Sequence, residues 1–234
     1  TAGIEANSTL DLQELYSRNF TLLQKIVAAD CIILTSLSED RRLIKCEGLQ
    51  IKGEPLDPDT FPVIKFDETS GGPQTHAIKT GQPFIVHDYE DWLGRSKTLM
   101  YLDTDGVRHS PDEKSTMDYQ PPRSAIIIPL KYNDRVYGVL QLQSFSKGVF
   151  TDSDMYKLEP FAVLFALAMQ RAMLHRKIQL EFAEKEAAFE QVRKFSKGIE
   201  QSPNSIIITN SNYEIEYVNP YFTELTGYTS DDVI

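Results

Sequence analysis

Between Arg123 and Ile199 the chain sets two apolar strands around a polar turn and then runs into one long helical segment. The first strand reads Arg123-Ser-Ala-Ile-Ile-Ile-Pro-Leu and the turn falls at Asn133-Asp134. The return strand reads Arg135-Val-Tyr-Gly-Val-Leu-Gln-Leu-Gln-Ser-Phe. Two apolar strands around a polar turn predict a hairpin. Thr151 with Asp154 three residues on is a capping box by position. The helix it opens meets no glycine until Gly198, which predicts a span of Asp152 to Ile199, about 70 Å at 1.5 Å per residue. Pro160 is expected to kink it near Tyr156 by removing a backbone bond.

Up to about Ala172 this helix is apolar on most sides, as packing on a sheet requires. Beyond that it thins to a stripe. Ile178, Phe182, Lys185, Phe189, Val192, Ser196 and Ile199 recur at alternating spacings of four and three, the coiled-coil rule. A second register through Leu174, Ile178, Ala188, Val192 and Phe195 also fits, read either as a switch or as loose patterning. The stripe points to a homodimer formed through Ile178, Phe182, Phe189 and Val192. From Arg171 to Ile199 there are seven basic and four acidic residues, whereas the 35 residues from Glu200 carry six acids and no Lys or Arg. A basic connector between acidic flanks is either a solvated helix face or a surface for an acidic partner.

The net charge of -10 argues against nucleic acid and against direct contact with an anionic membrane surface. No apolar run approaches a membrane span and the N-terminus lacks a signal-peptide pattern, so the expected location is cytoplasmic. Cys31 and Cys46 lie on what read as neighbouring strands about the Ser38 to Arg41 turn. Two reduced thiols are the default reading, although that symmetric placement offers a route to pairing.

Ahead of the hairpin, Ser8 or Thr9 caps an amphipathic helix from about Leu10 to Ala28. Strands follow at Cys31 to Leu37 and Leu43 to Ile51. Gly53 to Pro62, with three prolines and three acids, reads as a loop. A short strand is expected within Phe61 to Phe66. Ser70 caps a helix through Gly71 to Lys79, stopped by Gly81, and Gln82 to Asp88 is a strand. Asp91 or Ser96 starts a helix through Leu102, and Asp103 to Pro122 reads as a lid. After Ser205, strands at Ile206 to Thr209 and Glu214 to Val218 precede a helix from Asn219-Pro220 and the opening of another at Ser230.

Two resemblances rest on these residues. Residues 9–172 resemble a GAF domain, through Arg123-Ser-Ala-Ile-Ile-Ile-Pro-Leu, Arg135-Val-Tyr-Gly-Val-Leu-Gln-Leu and Phe150-Thr-Asp-Ser-Asp. Residues from about 196 to 234 resemble the first third of a PAS domain, through Phe195-Ser-Lys-Gly-Ile-Glu-Gln-Ser-Pro, Ile206-Ile-Ile-Thr-Asn, Tyr217-Val-Asn-Pro-Tyr-Phe and Leu225-Thr-Gly-Tyr-Thr. The resemblance implies an α+β fold: an antiparallel sheet of five or six strands, the first and last helices on one face and a ligand pocket on the other. The expected domains are 9–172, a helical linker at 173–199, and an incomplete PAS segment at 200–234. It also implies the input half of a bacterial signalling protein, with a cyclic-di-GMP (GGDEF/EAL) or histidine kinase output.

The same resemblance sets the cofactor expectations. Bilin-binding members attach chromophore to a cysteine in the region matching residues 103–122, where this chain has none, so no covalent bilin is expected. Members that reduce free methionine sulfoxide need cysteines around the pocket, whereas both here sit on the first hairpin, so this fragment is not expected to be an enzyme. No Ser-His-Asp order, acid pair or phosphate loop stands out. His76, His87 and His109 lack ligand spacing, so no metal is expected.

The candidate ligand residues are Phe66, Ser70, Gly71, His76, Trp92, Arg95, Tyr101, Arg123 and Gln141. Thr69 to His76 either presents amides to an anion or is a plain helix start with turn glycines. Trp92, Arg95 and Tyr101 form either an aromatic wall with one cation or ordinary packing. Gln141 and Gln143 share a face with Val139 and Tyr137 by alternation, which faces either a pocket or solvent. The alternative to small-molecule sensing is a ligand-free dimerisation scaffold.

Overall fold

Asn133 and Asp134 both hold left-handed backbone, φ 47° and 60°, and fold β8 (Ser124–Tyr132) back on β9 (Arg135–Ser144) as expected of that pair. The computed structural model describes residues 2–69, 71–89, 92, 101–109 and 121–234, with backbone alone for 2–13 and 101. Around this hairpin the other strands are β1 (Cys31–Leu37), β2 (Leu43–Ile51), β3 (Glu54–Leu56), β4 (Ile64–Lys65) and β5 (Phe84–Val86). Among the described residues they make a seven-stranded antiparallel sheet ordered β3-β2-β1-β9-β8-β5, with β4 also on β2. The fold is α+β, with an antiparallel sheet followed by a long helix and a short strand and helix segment.

The two faces of the sheet are covered differently. Helix α1 (Ala2–Ile26) lays Tyr16, Phe20 and Leu23 on one face, beside Leu158, Phe165 and Met169 of α3 (Asp152–Glu200). Phe165 meets the rings of Tyr16 and Phe20 edge-on at 5.6 and 6.2 Å between centroids. Helix α2 (Pro73–Thr80) and Tyr89 cover the other face, over Val86, Ile127 and Val139.

Thr151 caps α3 as its pattern predicts: the Asp154 carboxylate accepts from the Thr151 N–H at 3.1 Å and the Thr151 hydroxyl accepts from the Asp154 N–H at 3.3 Å. The helix passes Pro160 and continues to Glu200. The chain forms two compact units, residues 1–174 and 175–234, so the boundary falls inside α3. In the second unit β10 (Ile207–Thr209) pairs with β11 (Ile215–Val218). Helix α4 (Pro220–Thr226) follows, with Asn219 as its cap and Gly227 closing it at φ 80°, and then α5 (Ser230–Val233).

Several expectations need correction. Helix α1 begins at Ala2, so Ser8 and Thr9 lie within it rather than capping it. Gly53 to Pro62 holds strand β3 and a 3₁₀ turn at Pro58–Thr60. Pro55 is tolerated because β3 is an edge strand, where a missing N–H breaks no inner ladder. The strand within Phe61 to Phe66 shrinks to two residues. The cap of α2 is Gly72, with Pro73 at its first position.

The end of the helix expected through Leu102 is instead strand β6 (Tyr101–Leu102), paired with β7 (Arg108–His109); residues 93–100 lie outside the described set. The turn and second strand of this hairpin fall in the expected lid, and Asp103 ties the hairpin together. One carboxylate oxygen accepts from the Asp105 and Val107 N–H groups at 2.9 Å, and the other lies 2.6 Å from His109 Nε2. Burial pushes the Asp103 carboxyl up, but the hydrogen bonds from His109, Val107 and Asp105 together hold it below the usual carboxylate range.

The two cysteines are not opposed. Cys31 faces Ile51 while Cys46 faces Thr35, so they sit at separate rungs of the hairpin, free and buried. Burial drives each thiol up to about 12, which leaves both unreactive as nucleophiles.

Alternation fails at Tyr137. Leu130 faces Gly138 and Lys131 faces Val136, so Tyr137 is an extra residue in β9. The bulge turns its ring to the α1 and α3 face, whereas Val139 stays on the α2 face. Gly138 beside it is compulsory, since an added Cβ would lie 1.9 Å from the Thr35 carbonyl oxygen.

Candidate functional site

Two apolar clusters share the sheet face away from the terminal helices. One gathers α2 with Val86, Ile127, Val139, Phe66 and Trp92; the other gathers Cys31, Ile33, Cys46, Leu49 and Leu102. Two polar side chains of β9 stand on this face. Gln141 is opposite Ile33 and Ile127, and Gln143 is opposite Cys31 and Ala125.

Both glutamines are sealed from solvent, at 2% and 0% exposure, which overturns the solvent-face alternative. Tyr89, fully buried, brings its hydroxyl oxygen to within 2.9 Å of Gln141 Nε2 and 3.3 Å of Gln143 Nε2. Its backbone N–H donates to the Arg123 carbonyl, while Arg123 N–H donates to Ser144, so the chain after β5 is fixed to the start of β8. Burial holds the phenol well above its ordinary range, against the lowering effect of the Gln143 and Gln141 hydrogen bonds, so it stays protonated.

The glutamine carbonyl oxygens have no hydrogen-bond partner among the described residues. A phenol accepting from both amides leaves its own proton without an acceptor. Turning one amide so that its carbonyl takes that proton leaves an N–H unpaired instead. Either way, two buried amide atoms lack a partner among the described residues, and buried polar groups are normally satisfied. The arrangement suits a molecule or water offering hydrogen bonds there.

Tyr89→Phe tests this hub. Removing the hydroxyl strips both glutamines of their shared partner and is expected to cost about 1–3 kcal/mol of stability. Urea denaturation reads it, and an unchanged midpoint would mean the hydroxyl bears no load.

The expected site residues separate. Phe66 and Trp92 pack, half-buried, against the α2 cluster. His76 is exposed on α2, its ring 4.9 Å from Phe84 and 5.8 Å from Trp92, and Phe84 lies 5.6 Å from Trp92. Rings this close fill one another's space, so the trio is a packed cluster. Gly71 is exposed, one residue before the cap of α2. Arg123 is half-buried at the start of β8. Tyr101 pairs with His109, its side chain outside the described set, and Ser70 and Arg95 lie outside it altogether. Tyr89 carried no sequence signal beyond the general rule that a polar pair on an apolar strand needs a partner.

Among the described residues no group of three or more His, Cys, Asp or Glu could hold a metal, and no helix is long and apolar enough to cross a membrane.

The GAF domain model matches residues 9–170 and the PAS domain model matches 189–234. No curated protein matches the chain. Among solved structures, the GAF domain of an Acinetobacter phosphoenolpyruvate-protein phosphotransferase is similar with TM-score 0.51 and 10% identity, covering 74% of this chain and 97% of its own. The type II free methionine-R-sulfoxide reductase of Thermoplasma acidophilum matches with TM-score 0.49 and 16% identity over 70% of this chain and 96% of its own. A GAF domain/HD domain protein of Geobacter sulfurreducens gives TM-score 0.45 and 16% identity over 71% and 96%. At 10% identity the likeness to the first of these speaks for the fold alone.

Proposed function

We propose, from the premise that this chain belongs to the GAF domain family and continues into a PAS domain, that it senses a small molecule and relays the change along α3. GAF and PAS domains indicate a sensory and regulatory role. The observation that carries the sensing reading is the pair of buried glutamine amides, Gln141 and Gln143, each with a polar atom unmatched among the described residues. A ligand that satisfies them gains hydrogen bonds whose absence is costly.

The relay reading rests on α3. Its first turns are buried on the sheet at Leu158, Phe165 and Met169, whereas Ile178, Phe182, Phe189 and Val192 are each more than half exposed. Apolar side chains repeating every 3.5 residues on an isolated helix gain most by pairing with a second copy. In this reading residues 9–172 sense, 173–199 couple two protomers, and 200–234 begin the PAS module, which passes the signal to a cyclic-di-GMP or histidine kinase output in the cytoplasm. A ligand acts by biasing the dimer between two packings.

The scaffold alternative is favoured by one feature: Tyr89 already fills the space over Gln141 and Gln143. Native mass spectrometry separates the two readings. A dimer carrying a small extra mass supports sensing, and a bare dimer supports the scaffold. The joint variant Phe182→Ala and Phe189→Ala is expected to weaken dimerisation at least about tenfold, since aromatic anchors dominate such interfaces. Unchanged sedimentation would refute pairing through this stripe.

A further inference from the structure

A separate groove lies between α1 and the β2–β3 edge, with a volume of about 410 Å³. Tyr16 and Phe20, one helical turn apart, form its wall; Glu47 and Gln50 of β2 form its floor, and Asp57 stands at its rim. It is separate from Tyr89 and its glutamines, none of which lines it.

The floor is built by a second irregularity of the sheet. Leu34 faces Gly48 and Thr35 faces Cys46, so Glu47 is an extra residue with no cross-strand partner. A bulge re-aims a side chain, and here it brings a carboxylate to the groove. Glu47 is half-buried, accepts a hydrogen bond from the Ser36 hydroxyl at 2.6 Å, and has no cation at ion-pair distance among the described residues. Its charge is felt nearby: burial first, and then Glu47, pushes the Tyr16 phenol above its usual range.

Gln50 is 6% exposed. Its amide nitrogen donates to the Gly53 carbonyl at 2.6 Å, while its own carbonyl oxygen has no partner among the described residues. Asp57 adds a second negative charge, and among the described residues no Lys, Arg or His lines the groove. A half-buried carboxylate without a counter-charge is costly, and a cation with an apolar tail satisfies both the charge and the aromatic wall.

We propose that this groove binds a small organic cation, an alkylammonium whose nitrogen sits at Glu47 and whose carbon chain lies along Tyr16 and Phe20. The site does not depend on the sensing role of the opposite face. Binding ties α1 to the sheet edge and so stabilises the helix that shares its core with α3.

Isothermal titration calorimetry of the full chain with n-butylammonium chloride tests it. Saturable one-to-one binding is expected, weakened about tenfold by Glu47→Gln, which keeps the shape and the Ser36 contact but removes the charge. n-Butanol, the same chain without the charge, is expected to bind at least about tenfold more weakly. Should Glu47→Gln fail to fold, Asp57→Asn at the exposed rim is expected to weaken binding about threefold. No saturable heat up to about 10 mM, equal affinity for n-butanol, or undiminished affinity in the folded charge variant overturns the proposal.

Discussion

Gly138→Ala is expected to cost on the order of 3 kcal/mol or more, enough to unfold a marginally stable domain. The added methyl would stand 1.9 Å from the Thr35 carbonyl oxygen and 2.9 Å from its carbon, and backbone of a central strand cannot step aside as a side chain tip can. Gly138 faces Ser36 in the β1–β9 ladder and follows the Tyr137 bulge, so separating the strands there would disturb the register of both glutamines downstream. Circular dichroism during urea unfolding reads the loss. A folded variant within about 1 kcal/mol of wild type would mean that β1 and β9 do not pair this closely.

Phe165→Ala is expected to cost about 3–5 kcal/mol, the range for deleting a fully buried aromatic ring. Phe165 is 0% exposed and holds the edges of Tyr16 and Phe20, so the cavity opens where α1 meets α3. The loss should be uneven: amide hydrogen exchange is expected to rise in α1 before the β8–β9 hairpin, because α1 is anchored mainly through that core. Equal protection of α1 in variant and wild type, or a total cost under about 1 kcal/mol, would contradict the packing described.

The elements that could be read from the chain are those whose signals are local. The β8–β9 turn is written in Asn133-Asp134, the start of α3 in Thr151 and Asp154, the end of α2 in Gly81, and α4 in Asn219-Pro220 and Gly227. Each is fixed by a backbone conformation or cap that only certain neighbours can supply. Edge strand β3 and the β6–β7 hairpin were not readable, because short polar or proline-bearing strands gain their ladder only when a sheet edge or a partner is present.

The candidate sites divide in the same way. Gln141 and Gln143 stand out in sequence as polar residues on an apolar strand, and their burial follows from Tyr89 covering that face over them. Their partner Tyr89, 52 residues before Gln141, is chosen by the path of the chain after β5. The Tyr137 and Glu47 bulges break alternation without any sequence mark, and each decides which face a side chain serves. Period and capping, being properties of neighbouring residues, settled the hairpin and the long helix. Which polar groups meet, and which carboxylate is left without a counter-charge, depends on strand register between distant segments, and tertiary pairing alone decided that.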